Sequence, residues 1–256
     1  MTATLTVLGA GSILPRPDYG CSGYALRPEP GGPVTLLDCG PGSVRALGAA
    51  GIALADVRRV VLSHFHTDHC LDLFALSFAR RNPEFDPVPE LERAGPRGLA
   101  RLIDGAPALL GGFVQDPRAT TREVEPGEPF TADGLRFTPA ATRHTAEALA
   151  WRVDLASGTS LLYTGDTGEQ PEVAELGRGV DLFVAECSFP DERAVAAHLT
   201  PSSAARLAAA AGARALLLTH FYPGTDPDEA RRVAARTFPG PIHLARDGAR
   251  FEVGAG

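Results

Sequence analysis

The sequence predicts an α/β protein of the α+β kind, in which helices cover two β-sheets. Two observations support this fold class. Hairpin patterns dominate the first half of the chain, where apolar strands flank turns rich in proline and glycine, as in GYALRPEPGGPVTLLDCGPG. Strands and helical segments alternate towards the end of the chain. Because no strong linker or short repeat divides the sequence, we expect one domain over residues 1–256.

The first elements follow from local patterns. TATLTVLG alternates polar and apolar residues, which is typical of a half-buried strand. Two strands follow around the Pro/Gly turn, and a glycine-rich loop comes after Asp38. Residues 43–51 are predicted to form a short helix. The continuous apolar run RRVVLS indicates a buried strand, and LDLFALSFARR has helical spacing.

The remaining elements are predicted in the same way. Residues 83–112 are rich in proline and glycine, so we expect an irregular excursion with one helix near residues 99–110. GLRFTPAATRH is predicted as a strand and LAWRVDLASGTSLLYTGD as a hairpin. VDLFVAECS and ALLLTH are apolar strands around an alanine-rich helix over residues 202–212, with Thr200 and Pro201 as its cap and first turn. DPDEARRVAARTF is a helix, and IHLARDGARFEV closes the chain with strands.

Composition excludes some classes of protein. The net charge of −7 argues against a globally basic nucleic-acid binder. The N-terminal MTATLTVLGAGS has neither the basic flank nor the apolar run of a signal peptide, and no segment approaches membrane-spanning length. The four cysteines are scattered without a CxxC pair, as expected for free thiols in a reducing compartment. We therefore expect a cytoplasmic protein without a membrane partner.

The stretch VVLSHFHTDHC carries the strongest chemical signal. His64, His66, Asp68 and His69 crowd the end of a predicted buried strand, in a chain with only seven histidines. Three further candidates, His144, Asp166 and His220, each stand just beyond another apolar strand. A sheet can bring such strand ends to one point, and imidazole with carboxylate suits zinc, manganese or iron. A surface histidine cluster without metal is the competing interpretation, but it would not explain the ligand types at three later strand ends.

On these residues the chain resembles the metallo-β-lactamase superfamily. The matching segments are TLLDCGPG, SHFHTDH, His144, YTGDT and LLTH, in the order that the family uses. The resemblance implies a four-layer αββα sandwich with a dinuclear site, holding two Zn²⁺ or alternatively Mn²⁺ or Fe, between the sheets. It assigns His64, His66 and His144 to the first metal, Asp68, His69 and His220 to the second, and Asp166 to a bridge between them. Asp38 would order the loops rather than bind metal; a plain turn aspartate is the alternative.

One branch of the superfamily fits best. Glu186, followed by His198-Leu-Thr and an alanine-rich helix, resembles ribonuclease Z and its phosphodiesterase relatives, although Ala185-Glu186-Cys187 replaces the usual His-Glu-Ala. The resemblance implies Asp68, Glu186 and His198 as catalytic residues. A hydroxide shared by two metals would attack phosphorus, and His198 with Glu186 would protonate the leaving group. Alternatively, His198 is a structural neighbour of the helix cap and Glu186 an ion-pair partner of an arginine.

The absence of a tRNA-binding arm narrows the range of possible substrates. In bacterial ribonuclease Z the tRNA-gripping arm lies between the positions of His144 and Asp166, and here the predicted hairpin fills that interval. Five arginines after the histidine motif form a loose basic set that is more typical of solvated surface charge: Arg80, Arg81, Arg93, Arg97 and Arg101. We therefore expect an arm-less, ribonuclease Z-like phosphodiesterase for small or generic phosphodiesters, such as cyclic nucleotides, and do not expect tRNA as a partner.

Three alternatives stay open from the sequence. The same metals could hydrolyse a lactone, a thioester or a phosphotriester. The chain could be a tRNA 3′-processing endonuclease that grips its substrate with another segment. It could also be a non-catalytic RNA-binding or scaffold module, which would have no need for seven ligand positions. The resemblance to ribonuclease Z further suggests a homodimer.

Overall fold

A computed structural model describes residues 2–85 and 88–254 of the chain. The strands are β1 (Ala3–Gly9), β2 (Gly23–Arg27), β3 (Val34–Cys39), β4 (Val57–Val61), β5 (Leu91–Pro96), β6 (Ala119–Val124), β7 (Phe130–Ala132), β8 (Leu135–Ala141), β9 (Leu149–Leu155), β10 (Ser160–Tyr163), β11 (Leu182–Glu186), β12 (Ala215–Thr219), β13 (Ile242–Leu244) and β14 (Arg250–Val253). The α-helices are α1 (Ser43–Ala49), α2 (Thr67–Cys70), α3 (Asp72–Arg80), α4 (Leu99–Leu110), α5 (Pro171–Leu176), α6 (Pro201–Ala211) and α7 (Pro227–Ala234).

Within these ranges the strands form two seven-stranded sheets. The first has the order β14-β1-β2-β3-β4-β5-β6, and the second has the order β13-β12-β11-β10-β9-β8-β7. Both sheets are mixed: β3 to β6 pair in parallel in the first sheet and β10 to β13 in the second, whereas hairpins such as β8–β9 are antiparallel. Parallel neighbours end at the same edge of a sheet, so loops that are distant in sequence meet there.

The two sheets share one apolar core. Leu5 and Leu37 of the first sheet belong to the same buried cluster as Trp151, Leu161 and Phe183 of the second. A second cluster joins the other face of the first sheet to its covering helices, with Leu47, Leu73 and Leu99 against strand residues such as Leu36 and Val60. Helices α5 to α7 pack on the outside of the second sheet. The predicted αββα sandwich is confirmed.

Local signals located most elements correctly. The strand patterns of the first half, the hairpin β9–β10 and the late alternation are confirmed. Helix α6 begins as predicted: the Thr200 hydroxyl accepts from the backbone N–H of Ser203, and the Ser203 hydroxyl accepts from that of Thr200. Helix α7 ends at Ala234, before the end of the predicted segment. In the described residues, no helix has the length and apolar character needed to cross a membrane.

The expectation of an irregular excursion after residue 83 was wrong in part. Helix α4 lies where predicted, but LERAGP forms strand β5 between β4 and β6. Parallel partners on both sides satisfy the backbone hydrogen bonds of β5. The Glu92 carboxylate forms ion pairs with Arg59 at 2.7 Å and with Arg122 at 2.6 Å. Strand β5 was therefore not predicted from its polar sequence, because pairing with β4 and β6 stabilises it.

The basic set after the histidine motif is not one solvated surface. Arg80 is only 4% exposed and forms an ion pair of 2.6 Å with Asp116. Arg93 is also buried and donates to the carbonyl of Ala119. Arg81, Arg97 and Arg101 are exposed, and of these Arg81 donates to the carbonyls of Gly112 and Gln115.

Candidate metal centre

All seven candidate ligands lie at one edge of the sandwich. The sequence folds this way because each ligand follows a strand: His64 and His66 follow β4, Asp68 and His69 lie on the short helix α2, His144 follows β8, Asp166 follows β10, and His220 follows β12. Asp38 at the end of β3 and His220 both have φ of 57°, a left-handed conformation that costs free energy for residues other than glycine. Such strain is typical of functional sites.

The first ligand group contains His64, His66, His144 and Asp166, whose ligand atoms all lie within 4.8 Å of one another. The His66 Nδ1 and His144 Nε2 atoms are 3.0 Å apart, and His144 Nε2 is 3.7 Å from Asp166 Oδ2. His64 is fully buried, whereas His66 is exposed, so the group opens to solvent on the His66 side.

The second ligand group contains Asp68, His69 and His220. The Nε2 atoms of His69 and His220 are 3.2 Å apart, and His220 Nε2 is 3.5 Å from Asp68 Oδ2. Asp166 faces both groups: its Oδ1 atom is 3.4 Å from His69 Nε2 and 3.5 Å from His220 Nε2, while Oδ2 faces His144. Asp166 thus lies where a carboxylate shared by two ions would lie.

The residues present fit metal ions. Among the described residues, the buried His64 Nε2 and Asp166 Oδ1 atoms have no hydrogen-bond partner, although buried polar atoms are almost always paired. Two pairs of imidazole nitrogens also face each other at 3.0 and 3.2 Å, an arrangement that a cation between them would satisfy. Mixed nitrogen and oxygen donors suit zinc, manganese or iron.

The charges of the site also favour cations. Burial opposes ionisation of Asp166, but the surrounding histidines, His220 and His69 first, hold its pKa well below the usual value. Burial likewise opposes protonation of His69, yet Asp166 and then Asp38 raise its pKa well above the ordinary value. The Asp166 carboxylate therefore stays ionised, and the imidazole of His69 holds a proton. Metal binding at His69 would displace that proton, as it does at other histidine sites.

The imidazole of His64 is neutral and oriented as a metal ligand would be. Burial and then the neighbouring His69 lower its pKa to about 2, so the ring carries no charge. Ser63 Oγ lies 3.0 Å from His64 Nδ1 and donates to Asp38 Oδ2, so Nδ1–H of His64 donates to the serine. The lone pair of Nε2 is then directed into the site.

A family comparison agrees with this geometry. Residues 35–221 match the family model described as a beta-lactamase superfamily domain. The chain belongs to the metallo-β-lactamase superfamily. A 36% identical relative is an uncharacterised protein of Mycobacterium leprae, in an alignment covering 100% of this chain and 90% of that protein. Another, 32% identical, is named ribonuclease Z, from Mycobacterium marinum, with 98% of this chain and 99% of that protein covered.

A solved structure extends the similarity to the whole metallo-β-lactamase sandwich. The metallo-beta-lactamase fold protein YhfI from Bacillus subtilis superposes with a TM-score of 0.86 at 26% identity. The match covers 98% of this chain and 100% of that one. Together with the αββα architecture and the His/Asp clusters that could bind metal, these similarities identify a superfamily hydrolase related to ribonuclease Z.

In this superfamily member, Asp38 accepts several hydrogen bonds that orient residues of the candidate metal centre. Its Oδ1 accepts from the Ser63 backbone N–H at 2.7 Å. Its Oδ2 accepts from the Ser63 hydroxyl at 2.7 Å, from His69 Nδ1 at 2.7 Å and from the Tyr163 hydroxyl at 2.6 Å. Because Nδ1 of His69 is used in this way, its Nε2 points to the second group. Asp38 thus supports ligands, as a loop-ordering residue would, and is fully buried.

We expect Asp38→Ala to lower the free energy of unfolding by about 3–5 kcal/mol, because several buried donors would lose their acceptor. Urea denaturation with and without chelator measures this loss. Asp56→Ala is the matched control: Asp56 pairs with Arg27 but its side chain is 37% exposed, so its removal should cost less than about 1 kcal/mol. Equal effects of the two variants would contradict the role of Asp38.

Glu186 and His198 form a hydrogen-bonded dyad beside the ligand groups. His198 Nδ1 lies 3.0 Å from Glu186 Oε1 and 3.9 Å from Asp166 Oδ2. Glu186 is buried at the end of β11 and also accepts from the backbone N–H of Thr167 at 2.8 Å. Burial disfavours protonation of His198, but the hydrogen bond and charge of Glu186 outweigh it and raise the pKa of the imidazole. Glu186 is therefore paired with the histidine rather than with an arginine.

The contacts of Glu186 and His198 indicate a hydrogen-bonded pair rather than ligands of a further metal ion. Asp166, Glu186 and His198 are close enough to share an ion. However, the Nδ1 atom of His198 lies at hydrogen-bond distance from Glu186, so this nitrogen is not free to bind a metal ion. The arrangement matches a histidine whose other nitrogen is free to carry a proton.

Sequence reasoning missed several residues that the structure brings to the site. Ser188 is fully buried, and its hydroxyl contacts Glu186, His198 Nδ1 at 3.3 Å and His220 Nδ1 at 3.0 Å, so it joins the dyad to a candidate ligand. The backbone N–H of Ile13 donates to Asp68 Oδ2 at 3.1 Å. Position next to a motif residue was a signal for Ser63 and Ser188. No local signal marked Ile13, because its loop is over fifty residues away from Asp68 in sequence.

Proposed function

We propose that the protein is a metal-dependent phosphodiesterase of the ribonuclease Z-like type, which uses two metal ions, with zinc the best match to the ligand set. The observation that carries this proposal is the Glu186–His198 dyad next to the two ligand groups. A phosphodiester with an alkoxide leaving group needs a proton donor as well as metal ions. The relative named ribonuclease Z supports the same chemistry.

In this proposal each site residue has a distinct role in the reaction. His64, His66 and His144 would hold one ion, Asp68, His69 and His220 the other, and Asp166 both. Bound metal ions would supply Lewis acidity and a nucleophile at neutral pH. Glu186 fixes the imidazole of His198 through Nδ1, so that the Nε2 proton can pass to the leaving oxygen. Asp68 is buried, and its Oδ2 accepts from the backbone N–H of Ile13, which fixes this carboxylate within the second group.

Small or generic phosphodiesters are the proposed substrates. Strands β9 and β10 account for most of the interval between His144 and Asp166, and only residues 156–159 connect them, so that interval carries no arm. The alignment with the ribonuclease Z of Mycobacterium marinum extends over 282 positions, more than the 256 residues of this chain, so that relative carries residues that this chain lacks. The net charge of −7 also gives little support for binding a tRNA body.

A panel of substrates tests this proposal. With metal-loaded protein, we expect the highest kcat/KM for a phosphodiester such as bis-p-nitrophenyl phosphate, and no efficient cleavage of pre-tRNA. A lactone and a thioester complete the panel, and an arm-bearing ribonuclease Z serves as the positive control for pre-tRNA. Faster turnover of the lactone or thioester would contradict the phosphodiesterase. Site-specific release of a 3′ trailer at low enzyme concentration would show that another segment replaces the arm.

A further inference from the structure

Two aromatic side chains that the proposed mechanism does not use lie beside His198. The Phe189 and Tyr222 ring centroids are 4.8 Å apart with an interplanar angle of 31°. The Phe189 centroid is 5.5 Å from that of His198, and the Tyr222 centroid is 6.2 Å from it. Tyr222 also contacts the candidate ligand His220, with 5.6 Å between centroids. We call Phe189 and Tyr222 together the aromatic pair.

The aromatic pair is held in place by the loops that carry it. Phe189 follows β11 and Tyr222 follows β12, two parallel neighbours. The buried hydroxyl of Thr225 donates to the carbonyl of Ser188 at 2.7 Å, which ties one loop to the other. The guanidinium of Arg16 donates to the carbonyls of Tyr222, at 3.4 Å, and Thr225, at 2.9 Å. A surface fixed in this way loses little entropy when a ligand binds to it.

The aromatic pair is not part of the core. The large core aromatics Trp151, Tyr24 and Phe183 are fully buried, whereas Phe189 and Tyr222 are both partly exposed. In the part of the chain that the structure describes, the Tyr222 hydroxyl makes no hydrogen bond. Partly exposed aromatic rings beside a candidate active site are suited to stacking against a flat ligand group.

The position of the pair relative to His198 decides which part of a substrate it would meet. A proton donor must reach the leaving oxygen to within hydrogen-bond distance. The remainder of the leaving alcohol would then lie next to the imidazole, whose aromatic neighbours are Phe189, with ring centroids 5.5 Å apart, and Tyr222, with ring centroids 6.2 Å apart. A planar group attached to that alcohol would reach the rings, and a short alkyl group would not.

We propose that Phe189 and Tyr222 form a stacking platform for a planar ring, such as a nucleobase, on the leaving-group side of the scissile bond, and so select nucleoside-type over simple alkyl phosphodiesters. This inference rests on the proposed phosphodiesterase function and on the role of His198 in it. The platform adds a specificity determinant that does not take part in the chemical step.

A pair of substrates that differ only in the base tests the platform. One is a methyl phosphodiester of a nucleoside 5′-hydroxyl, and the other is its abasic counterpart with 1-deoxyribose. Stacking on an aromatic side chain favours a base by about five- to a hundredfold, so the wild-type ratio of kcat/KM values should lie in that range. Phe189→Leu and Tyr222→Leu should each bring this ratio close to one. Phe78→Leu is the matched control, since Phe78 is 57% exposed on α3, and it should not alter the ratio.

A binding measurement separates failure of the platform from failure of the proposed function. Equilibrium dialysis of the metal-loaded protein compares a nucleoside 5′-monophosphate with 1-deoxyribose 5-phosphate, and requires no hydrolysis. Tighter binding of the nucleotide, lost in Phe189→Leu, supports the platform even if neither diester is cleaved. Equal affinities in the wild type, or an unchanged ratio in both leucine variants, would overturn it. Equal losses for base-bearing and abasic ligands would show that the rings only support His198 and His220.

Discussion

Asp166→Ala is expected to lower kcat/KM for a phosphodiester by about 10³-fold or more, because metal ions contribute several kcal/mol to transition-state stabilisation. Asp166 faces both ligand groups, through Oδ1 and Oδ2, and is the residue common to them. Its removal would leave each group short of an anionic ligand. Elemental analysis of the purified protein, together with steady-state kinetics, measures both effects.

Wild-type protein is expected to contain about two metal ions per chain, as a two-metal site requires, and Asp166→Ala fewer. Asp154→Ala provides the matched control, since Asp154 pairs with Arg152 at the surface of β9 and faces neither group. This control should keep both its metal and its activity. A wild-type protein that is fully active with one tightly bound ion would contradict the dinuclear mechanism, and so would full metal content and activity in Asp166→Ala.

His198→Ala is expected to have an effect that depends on the leaving group. Positioned acid catalysis is worth about 10²–10⁴-fold where the leaving oxygen needs a proton. The variant should lose about that much on an alkyl or nucleoside diester. It should lose far less on bis-p-nitrophenyl phosphate, because p-nitrophenolate leaves readily without protonation. The measurement is kcat/KM across substrates of graded leaving-group pKa, with metal analysis alongside.

Two further variants make the assignment of His198 testable. Glu186→Gln should show the same dependence on the leaving group, more weakly, because Glu186 orients the imidazole and stabilises its charge without touching the substrate. His243→Ala, an exposed histidine on β13 outside both ligand groups, should change neither metal content nor rate. Equal losses on all substrates in His198→Ala, or the loss of one metal ion, would mean that His198 is a ligand or a structural residue.

The sequence by itself determined the features that depend on neighbouring residues. Alternation and apolar runs located most strands, and the Thr200 cap marked the start of α6. The histidine motif and the ligand types at later strand ends predicted which residues meet at the candidate metal centre. Each of these signals works within a few residues, because side-chain periodicity and capping are local properties of the backbone.

Only the tertiary structure decided how those features meet. Asp38 collects its donors from Ser63, His69 and, 125 residues away, Tyr163, so its role follows from the packing of two sheets. Strand β5 forms because parallel neighbours flank it, although its own sequence is polar. Contacts such as these depend on which strand ends share an edge. That arrangement is set by burial of the whole apolar core rather than by any local pattern.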